Sequence, residues 1–358
     1  MGSVRLKNSV IHRHLIAVML ITIFCIGMAG CHKSPEPMRP DSDIFWPNPP
    51  EVKRIQFLHA VSTPADINIR DGMIQQVVNY IIGSPAPRIV SPYGMASDDQ
   101  GRLYVVDTFQ KQVHVFDADG NNYFLFPGDR ERLAAPVGID VDSNGLIYVT
   151  DAKDGAVKIF KDRGRQFVSE LGRDNLQRPT GIAVNVKTSE LLVVDTLQST
   201  VFRYDLASHA PKGAFGGNGR AAGQFHYPTQ ICVTSAGNII VSDSLNFRVQ
   251  VFSSDGRFLN TFGQMGHGPG TFSRPKGVAS DSAGNIYVVD ALFDNVQMFD
   301  ASGRLLMAFG DHGGGYGEFW LPNGIHIDKE DRVYVSDSSN QRVQVFKYIK
   351  EDIANEDK

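Results

Sequence analysis

The sequence predicts an all-β fold, a six-bladed β-propeller, from three observations. A segment that starts with proline and runs into a short apolar stretch occurs six times along the 358-residue chain. Each copy leads to a landmark aspartate, and successive aspartates lie 44 to 48 residues apart. Glycine turns separate the short strands, and a repeat of this length is typical of propeller blades. The copies start at Pro92, Pro136, Pro179, Pro228, Pro275 and Pro322, and their aspartates are Asp107, Asp151, Asp195, Asp243, Asp290 and Asp337.

Residues 1–30 are expected to be a lipoprotein signal peptide. A basic start without acids precedes residues 15–26, an apolar run of 12 that is too short to span a bilayer comfortably. The run closes with Met28-Ala29-Gly30-Cys31, which resembles a bacterial lipobox. The resemblance implies cleavage before Cys31 and lipid attachment to it, and His32 in place of an acid favours an outer membrane site facing the periplasm. An ordinary secretory signal, or an uncleaved anchor helix, is the alternative.

Residues 31–50 are expected to form a proline-rich tether. Six prolines fall within residues 34–50. Such a run stays extended at about 3.1 Å per residue, so it holds the next domain roughly 50 Å from an anchor. A proline-rich recognition motif is the alternative interpretation.

Each repeat is expected to form four antiparallel strands, named a to d in chain order. In the fifth repeat, strand a starts at residues 277–279 and strand b covers residues 286–290. Strand c covers residues 295–299 and strand d residues 305–309, with glycine turns between strands a and b and between strands c and d. The alternation of apolar and polar residues is the pattern of half-buried strands.

Closure of the ring is expected to use a strand from outside the repeats. The sixth repeat ends at Phe346 without a strand d, and an open sheet edge promotes aggregation. Residues 52–58 alternate correctly and precede the first repeat, so we expect them to complete blade 6. This sets the propeller at residues 51–348, followed by a charged tail at residues 349–358.

A short helical insertion is expected within residues 61–90. Its apolar residues follow helical spacing and form one stripe. The segment has no lysine and one arginine, so packing on or beside the channel mouth is favoured over a membrane surface. The stripe consists of Ile74, Val77, Val78, Ile81 and Ile82.

The repeat resembles the NHL family, whose pattern is close to P-x-G-I-A-V-D, then G-N-I-Y-V-A-D, then N-x-R-V-Q-V-F. Residues 237–243 read G-N-I-I-V-S-D, residues 246–252 read N-F-R-V-Q-V-F, and residues 340–346 read N-Q-R-V-Q-V-F. The resemblance implies the propeller fold over about three quarters of the chain. It leaves the activity open, since the family includes RNA binders, ligase-associated domains, an amidating lyase and bacterial envelope proteins.

Charge and cysteine content exclude some classes of function. Without residues 1–30, 32 basic residues face 39 acidic ones, which argues against nucleic acid as a partner. The three cysteines do not look like a disulfide set, because Cys25 lies in the apolar run, Cys31 ends it, and Cys232 lies alone in a predicted inner strand.

The ring of aspartates is expected to be structural, because a carboxylate at the end of every strand b suits hydrogen bonds to turn amides. Asp140 and His326 break the pattern of small residues in strand a. Their blades are not neighbours, and a lyase of this fold uses several histidines. We therefore expect no catalytic residue, no metal and no cofactor. The alternative is a metal-dependent hydrolase or lyase, lactonase-like or amidating-lyase-like, that uses the central channel.

The face formed by the loops from strand b to c and from strand d to the next a, here the b–c face, is the better functional candidate. Its mixture of apolar and polar residues suits protein or peptide recognition. We expect a non-catalytic interaction module, lipid-anchored in the cell envelope, that binds an envelope protein or a peptide or polymer ligand. Packing of the leucines between blades is the alternative. The candidate binding residues are Tyr93, Phe109, Leu197, Leu245, Phe247, Arg248, Leu292 and Trp320.

Overall fold

In the computed structural model of the chain, residues 44–48, 50–70, 86–128 and 132–349 are described. Cys31, the leader, most of the expected tether and the apolar stripe of the insertion lie outside these ranges, as does the tail from residue 350.

The described chain is an all-β six-bladed propeller, in which each repeat supplies consecutive antiparallel strands of one sheet. Two strands, β1 (Phe45–Trp46) and β2 (Ile55–Val61), come before the repeats. The remaining strands are β3 (Pro92–Ser97), β4 (Leu103–Asp107), β5 (Gln112–Asp117) and β6 (Asn122–Phe126) in blade 1; β7 (Pro136–Val141), β8 (Ile147–Asp151), β9 (Ala156–Lys161) and β10 (Gln166–Leu171) in blade 2; β11 (Pro179–Asn185), β12 (Glu190–Asp195), β13 (Thr200–Asp205) and β14 (Pro211–Gly216) in blade 3; β15 (Pro228–Val233), β16 (Ile239–Asp243), β17 (Arg248–Phe252) and β18 (Phe258–Phe262) in blade 4; β19 (Pro275–Ser280), β20 (Ile286–Asp290), β21 (Asn295–Phe299) and β22 (Leu305–Phe309) in blade 5; β23 (Asp311–His312) and β24 (Glu318–Phe319) in a short parallel pair; and β25 (Pro322–Ile327), β26 (Arg332–Asp337) and β27 (Arg342–Tyr348) in blade 6.

Helical structure in the described ranges is limited to three short 3-10 turns, at Pro64–Ile67, Asp162–Gly164 and Ser244–Asn246. The expected helical insertion is not tested, because residues 71–85 lie outside the described part. Nowhere in the described ranges is a helix both long and apolar enough to cross a lipid bilayer.

The ring is closed by β2, which pairs antiparallel with β27 in blade 6. The register places Ile55 opposite Tyr348 and Val61 opposite Val343. The predicted closing strand is confirmed, with bounds three residues further along the chain than residues 52–58. The innermost strands β3, β7, β11, β15, β19 and β25 contact each other in a closed circle.

Part of the expected tether belongs to the propeller. Strand β1 adds a fifth strand to blade 6 by pairing with β2, Phe45 opposite Gln56. The Trp46 ring lies 5.9 Å from the ring of Phe309 and 5.8 Å from that of Phe346. The propeller therefore begins before residue 51, the start that the sequence predicted. The reason is that the side chains of Ile44 and Trp46 pack against the apolar cluster between blades 5 and 6.

The proline–glycine start of strand a is explained by the close approach of neighbouring blades. At Gly94 and Gly324 an added Cβ would overlap the carbonyl oxygens of Val137 and Tyr93 in the next blade. Only glycine avoids that overlap, which is why the glycine recurs two residues after the proline. Blade 4 departs from the pattern with Gln230 at this position.

The hydrophobic core lies between the blades. In the cluster between blades 1 and 2, Tyr104 and Val115 are fully buried against Ile147 and Phe160. A cluster of this kind is found at each of the six blade junctions. Burial of apolar surface between neighbours therefore holds the ring together.

Candidate functional site

The ring aspartates act as acceptors for backbone amides, and all six side chains are completely buried. Asp107 accepts hydrogen bonds from the amides of Val90 and Ser91 before strand a, and of Phe109 and Gln110 after strand b. Burial by itself would raise the pKa of Asp107, but the hydrogen bonds from His114 and from the amides of Gln110, Val90 and Ser91 outweigh it and hold the pKa at about 2. The ring therefore joins two loops within each blade, as the sequence predicted.

Asp140 and His326 do not form a site together. The Asp140 carboxylate accepts hydrogen bonds from the amides of Val141 and Val184, at 2.8 and 2.7 Å. His326 Nε2 lies 2.8 Å from the Ser97 hydroxyl. Burial raises the pKa of Asp140 to about 6 and lowers that of His326 to about 4. Among the described residues, no three or more His, Cys, Asp and Glu side chains are grouped as metal ligands.

Four of the apolar candidate residues of the b–c face have exposed side chains. Phe109 is 74% exposed, Leu197 48%, Leu292 53% and Trp320 51%. Leu245 is half-buried at the mouth of the channel. These leucines are therefore not enclosed between blades.

The prediction that Phe247 and Arg248 project as binding anchors is wrong. Arg248 Nε donates to the buried carboxylate of Asp243 at 2.8 Å, and Nη2 donates to the carbonyls of Ala221 and Gln224. Only 14% of the Arg248 side chain is exposed. Phe247 is partly buried against the cluster between blades 4 and 5. Both residues stabilise the scaffold because they lie at the start of strand c, beside the ring aspartate.

A pocket of about 290 Å³ opens where the strands a begin, and we call it the mouth pocket. Apart from Leu245, its lining comes from three positions of the repeat: the residues before and after the strand-a proline, and the residue after the ring aspartate. Arg178 and Arg274, which precede Pro179 and Pro275, were missed by the sequence analysis. The lining residues are Tyr93, Thr108, Val137, Arg178, Thr180, Thr196, Tyr227, Thr229, Ser244, Leu245, Arg274 and Lys276.

Hydroxyl groups fix the wall of the mouth pocket. The Thr196 hydroxyl donates to the carbonyl of Pro228 in the next blade, at 2.7 Å, and lies 2.8 Å from the Thr180 hydroxyl. Ser244 repeats this arrangement one blade further on, with a 2.5 Å hydrogen bond to the carbonyl of Pro275. These bonds link neighbouring blades, so the shape of the pocket is set by the fold.

Lys276 is the most constrained cation of the mouth pocket. Its ammonium group donates a hydrogen bond to the amide oxygen of Asn323 and lies 5.7 Å from the centre of the Tyr93 ring. Burial, helped by the nearby charge of Arg274, lowers the pKa of Lys276 to about 8. Arg178 and Arg274 are exposed at the rim, and no carboxylate from the described part of the chain lines the pocket.

Two family models match parts of the chain. One, described as a 6-bladed beta-propeller, matches residues 223–292, and the NHL repeat matches residues 133–160 and 319–346. These matches agree with the closed circle of six blades in the structure. The chain is a six-bladed propeller that contains NHL repeats.

A short part of the propeller is also similar to a curated protein. Protein lin-41 of Caenorhabditis elegans is 41% identical over 56 residues, which are 16% of this chain and 5% of that protein. The chain thus matches only a small part of this curated relative.

Solved structures show the same fold at low sequence identity. A gluconolactonase from Xanthomonas campestris is 13% identical with a TM-score of 0.58, covering 82% of this chain and 98% of that one. An auxiliary nutrient binding protein from Bacteroides ovatus is 15% identical with a TM-score of 0.57, covering 73% and 70%. Virginiamycin B lyase from Staphylococcus aureus is 14% identical with a TM-score of 0.54, covering 73% and 96%. These likenesses establish the fold alone.

Proposed function

We propose that this NHL propeller is a non-catalytic binding module, lipid-anchored in the cell envelope through Cys31, and that its ligand binds in the mouth pocket. The observation that carries the proposal is the pocket itself, a concavity of about 290 Å³ with a fixed wall and polar groups that converge on it. Concave sites of this size that combine apolar and polar groups are the usual ligand sites of proteins.

The surroundings of the mouth pocket support a larger partner as well. Phe109, Leu197, Leu292 and Trp320 expose apolar surface on the same b–c face. Exposed aromatic and aliphatic groups around a polar centre are typical of recognition surfaces. An envelope protein, or a peptide or polymer ligand, is the partner class that we infer.

The enzyme alternative rests on one group. A lysine with a lowered pKa in a pocket is a candidate general base, and Lys276 has both properties. Within the described ranges it lacks a second titratable group as a hydrogen-bonding partner, because Asn323 is its partner. The other two candidates, Asp140 and His326, bond instead to backbone amides and to a serine.

The test compares wild-type protein purified from native membranes with a variant whose pocket is filled. Val137 lines the pocket, so Val137→Trp is expected to block it, and Val168→Trp on an exposed outer strand is the matched control. Mass spectrometry of molecules released on denaturation is expected to find a ligand with wild type and control, and none with Val137→Trp.

Equal ligand content in all three proteins would contradict the assignment of the site. Hydrolysis of gluconolactone by the wild type, lost in Lys276→Met, would instead support the enzyme alternative.

A further inference from the structure

We propose that the mouth pocket takes an anionic ligand that presents a carboxylate or a phosphate group to Arg274 and Lys276. The inference rests on the proposed function and names the chemical class of its ligand. Three observations support it: the distribution of charge, the arginine side chains that make no ion pair among the described residues, and the burial of the charged Lys276.

The distribution of charge is the reverse of that of the whole chain. The formal net charge of the chain is −4, with 39 acidic residues. Among the described residues, the mouth pocket is lined by Arg178, Arg274 and Lys276 and by no carboxylate. Three uncompensated cations around one concavity attract anions and strengthen the local field.

The pocket arginines differ from the other arginines of the b–c face. Arg248 and Arg342 are each bonded to a ring aspartate at 2.8 Å. Among the described residues, the side chains of Arg178 and Arg274 make no hydrogen bond or ion pair, although their backbone amides bond to ring aspartates. Their guanidinium groups are thus available, and this planar fork matches the geometry of carboxylate and phosphate.

Lys276 is kept charged at an energetic cost in the unliganded protein. Its partners are the neutral Asn323 amide and the Tyr93 ring, and burial, followed by repulsion from Arg274, lowers its pKa from 10.5 to about 8. Below pH 8 the lysine is charged in both the folded and the unfolded state, and its burial makes the folded state less stable. Between about pH 8 and 10.5 the unfolded state binds more protons than the folded state, so the free energy of unfolding rises with pH. A bound anion would offset this loss of stability. Binding of an anion therefore explains why a lysine that destabilises the unliganded protein occupies this position.

The test is isothermal titration calorimetry at low salt with two probes, citrate for the carboxylate class and pyrophosphate for the phosphate class. The wild type is expected to bind one of them saturably, with an affinity that falls as salt screens the charges. Arg274→Met and Lys276→Met are each expected to weaken that binding about tenfold or more, since each removes a charge-assisted hydrogen bond. The matched control is Arg257→Met, an exposed arginine in the turn between strands c and d of blade 4.

A second readout separates lost binding from lost folding. Lys276→Met is expected to raise the melting temperature of the unliganded protein at pH 7, and to remove the rise in stability between pH 8 and 10.5. Failure of the wild type to bind either probe, or equal binding by Arg274→Met, Lys276→Met and the control, would overturn the proposal. A neutral ligand released from the native protein but not from Val137→Trp would overturn it too, while leaving the binding function intact.

Discussion

At the scale of single residues, the position of an arginine within the repeat decides its role. An arginine at the start of strand c, such as Arg248, reaches back to the buried Asp243 and to the loop before strand a. An arginine before the strand-a proline, such as Arg274, donates a hydrogen bond from its backbone amide to the ring aspartate, and its side chain lines the mouth pocket. The first kind holds the blade together, and the second is free for a ligand.

Arg248→Ala is therefore expected to destabilise the protein. The change leaves the buried Asp243 without its ion-pair partner and removes the hydrogen bonds from Arg248 to the carbonyls of Ala221 and Gln224, at a cost of about 2 to 4 kcal/mol in the free energy of unfolding. Chemical denaturation measures it, with Arg257→Ala as the exposed control. Unchanged stability of Arg248→Ala would contradict the stabilising role of this residue and favour the earlier prediction that its side chain binds a partner.

Residue roles could be predicted where they follow from local chemistry. The role of the ring aspartates was predictable because each ends a strand b and lies two or three residues before amides of the following turn. The role of Arg248 could not be predicted, because its carbonyl partners Ala221 and Gln224 lie 24 to 27 residues away in sequence. Arg178 and Arg274 gave a weaker signal, visible only when the residue before each strand-a proline is compared across the six repeats.

At the scale of secondary structure elements, strand β2 is the piece on which the ring depends. It covers the edge of β27 that the sixth repeat leaves open. A truncation beginning at Ser62 removes β1 and β2, and we expect it to aggregate, since an exposed strand edge pairs with other chains. Size-exclusion chromatography with light scattering measures this.

The matched control for that truncation is a chain beginning at residue 51, which loses β1 but keeps β2. It is expected to stay monomeric with a lower melting temperature, because it loses the pairing of β1 with β2 and the contacts of Trp46 with Phe309 and Phe346, while β2 still covers β27. A Ser62 truncation that remains monomeric with wild-type stability would disprove the role of β2.

The elements differ in how far the sequence could predict them. Strand β2 was predictable because its residues alternate and the sixth repeat lacks a partner for its last strand. Strand β1 has two residues within a proline-rich segment, which leaves no alternation to recognise. Its place depends on tertiary contacts of Ile44 and Trp46.

At the scale of the whole molecule, we propose that the propeller is held at a membrane by Cys31. Mass spectrometry of the membrane-extracted protein is expected to show a diacylated or triacylated N-terminus at Cys31, because the residue follows an apolar run and two small residues. Cys31→Ser is expected to leave the membrane fraction, whereas Cys232→Ser, which alters a strand of blade 4, is expected to stay there. An unmodified N-terminus at any other residue would contradict the proposal.

Closure through β2 also has a consequence for the synthesis of the chain. Val61 and its partner Val343 are separated by about 280 residues, which take roughly 15 to 60 seconds to make at the usual rate of translation. During this interval the strand Ile-Gln-Phe-Leu-His-Ala-Val has left the ribosome, and its edge toward β27 has no partner. A strand made before all six repeats is thus paired with β27 only after the last of them, and we expect newly made chains to expose this edge until blade 6 is complete.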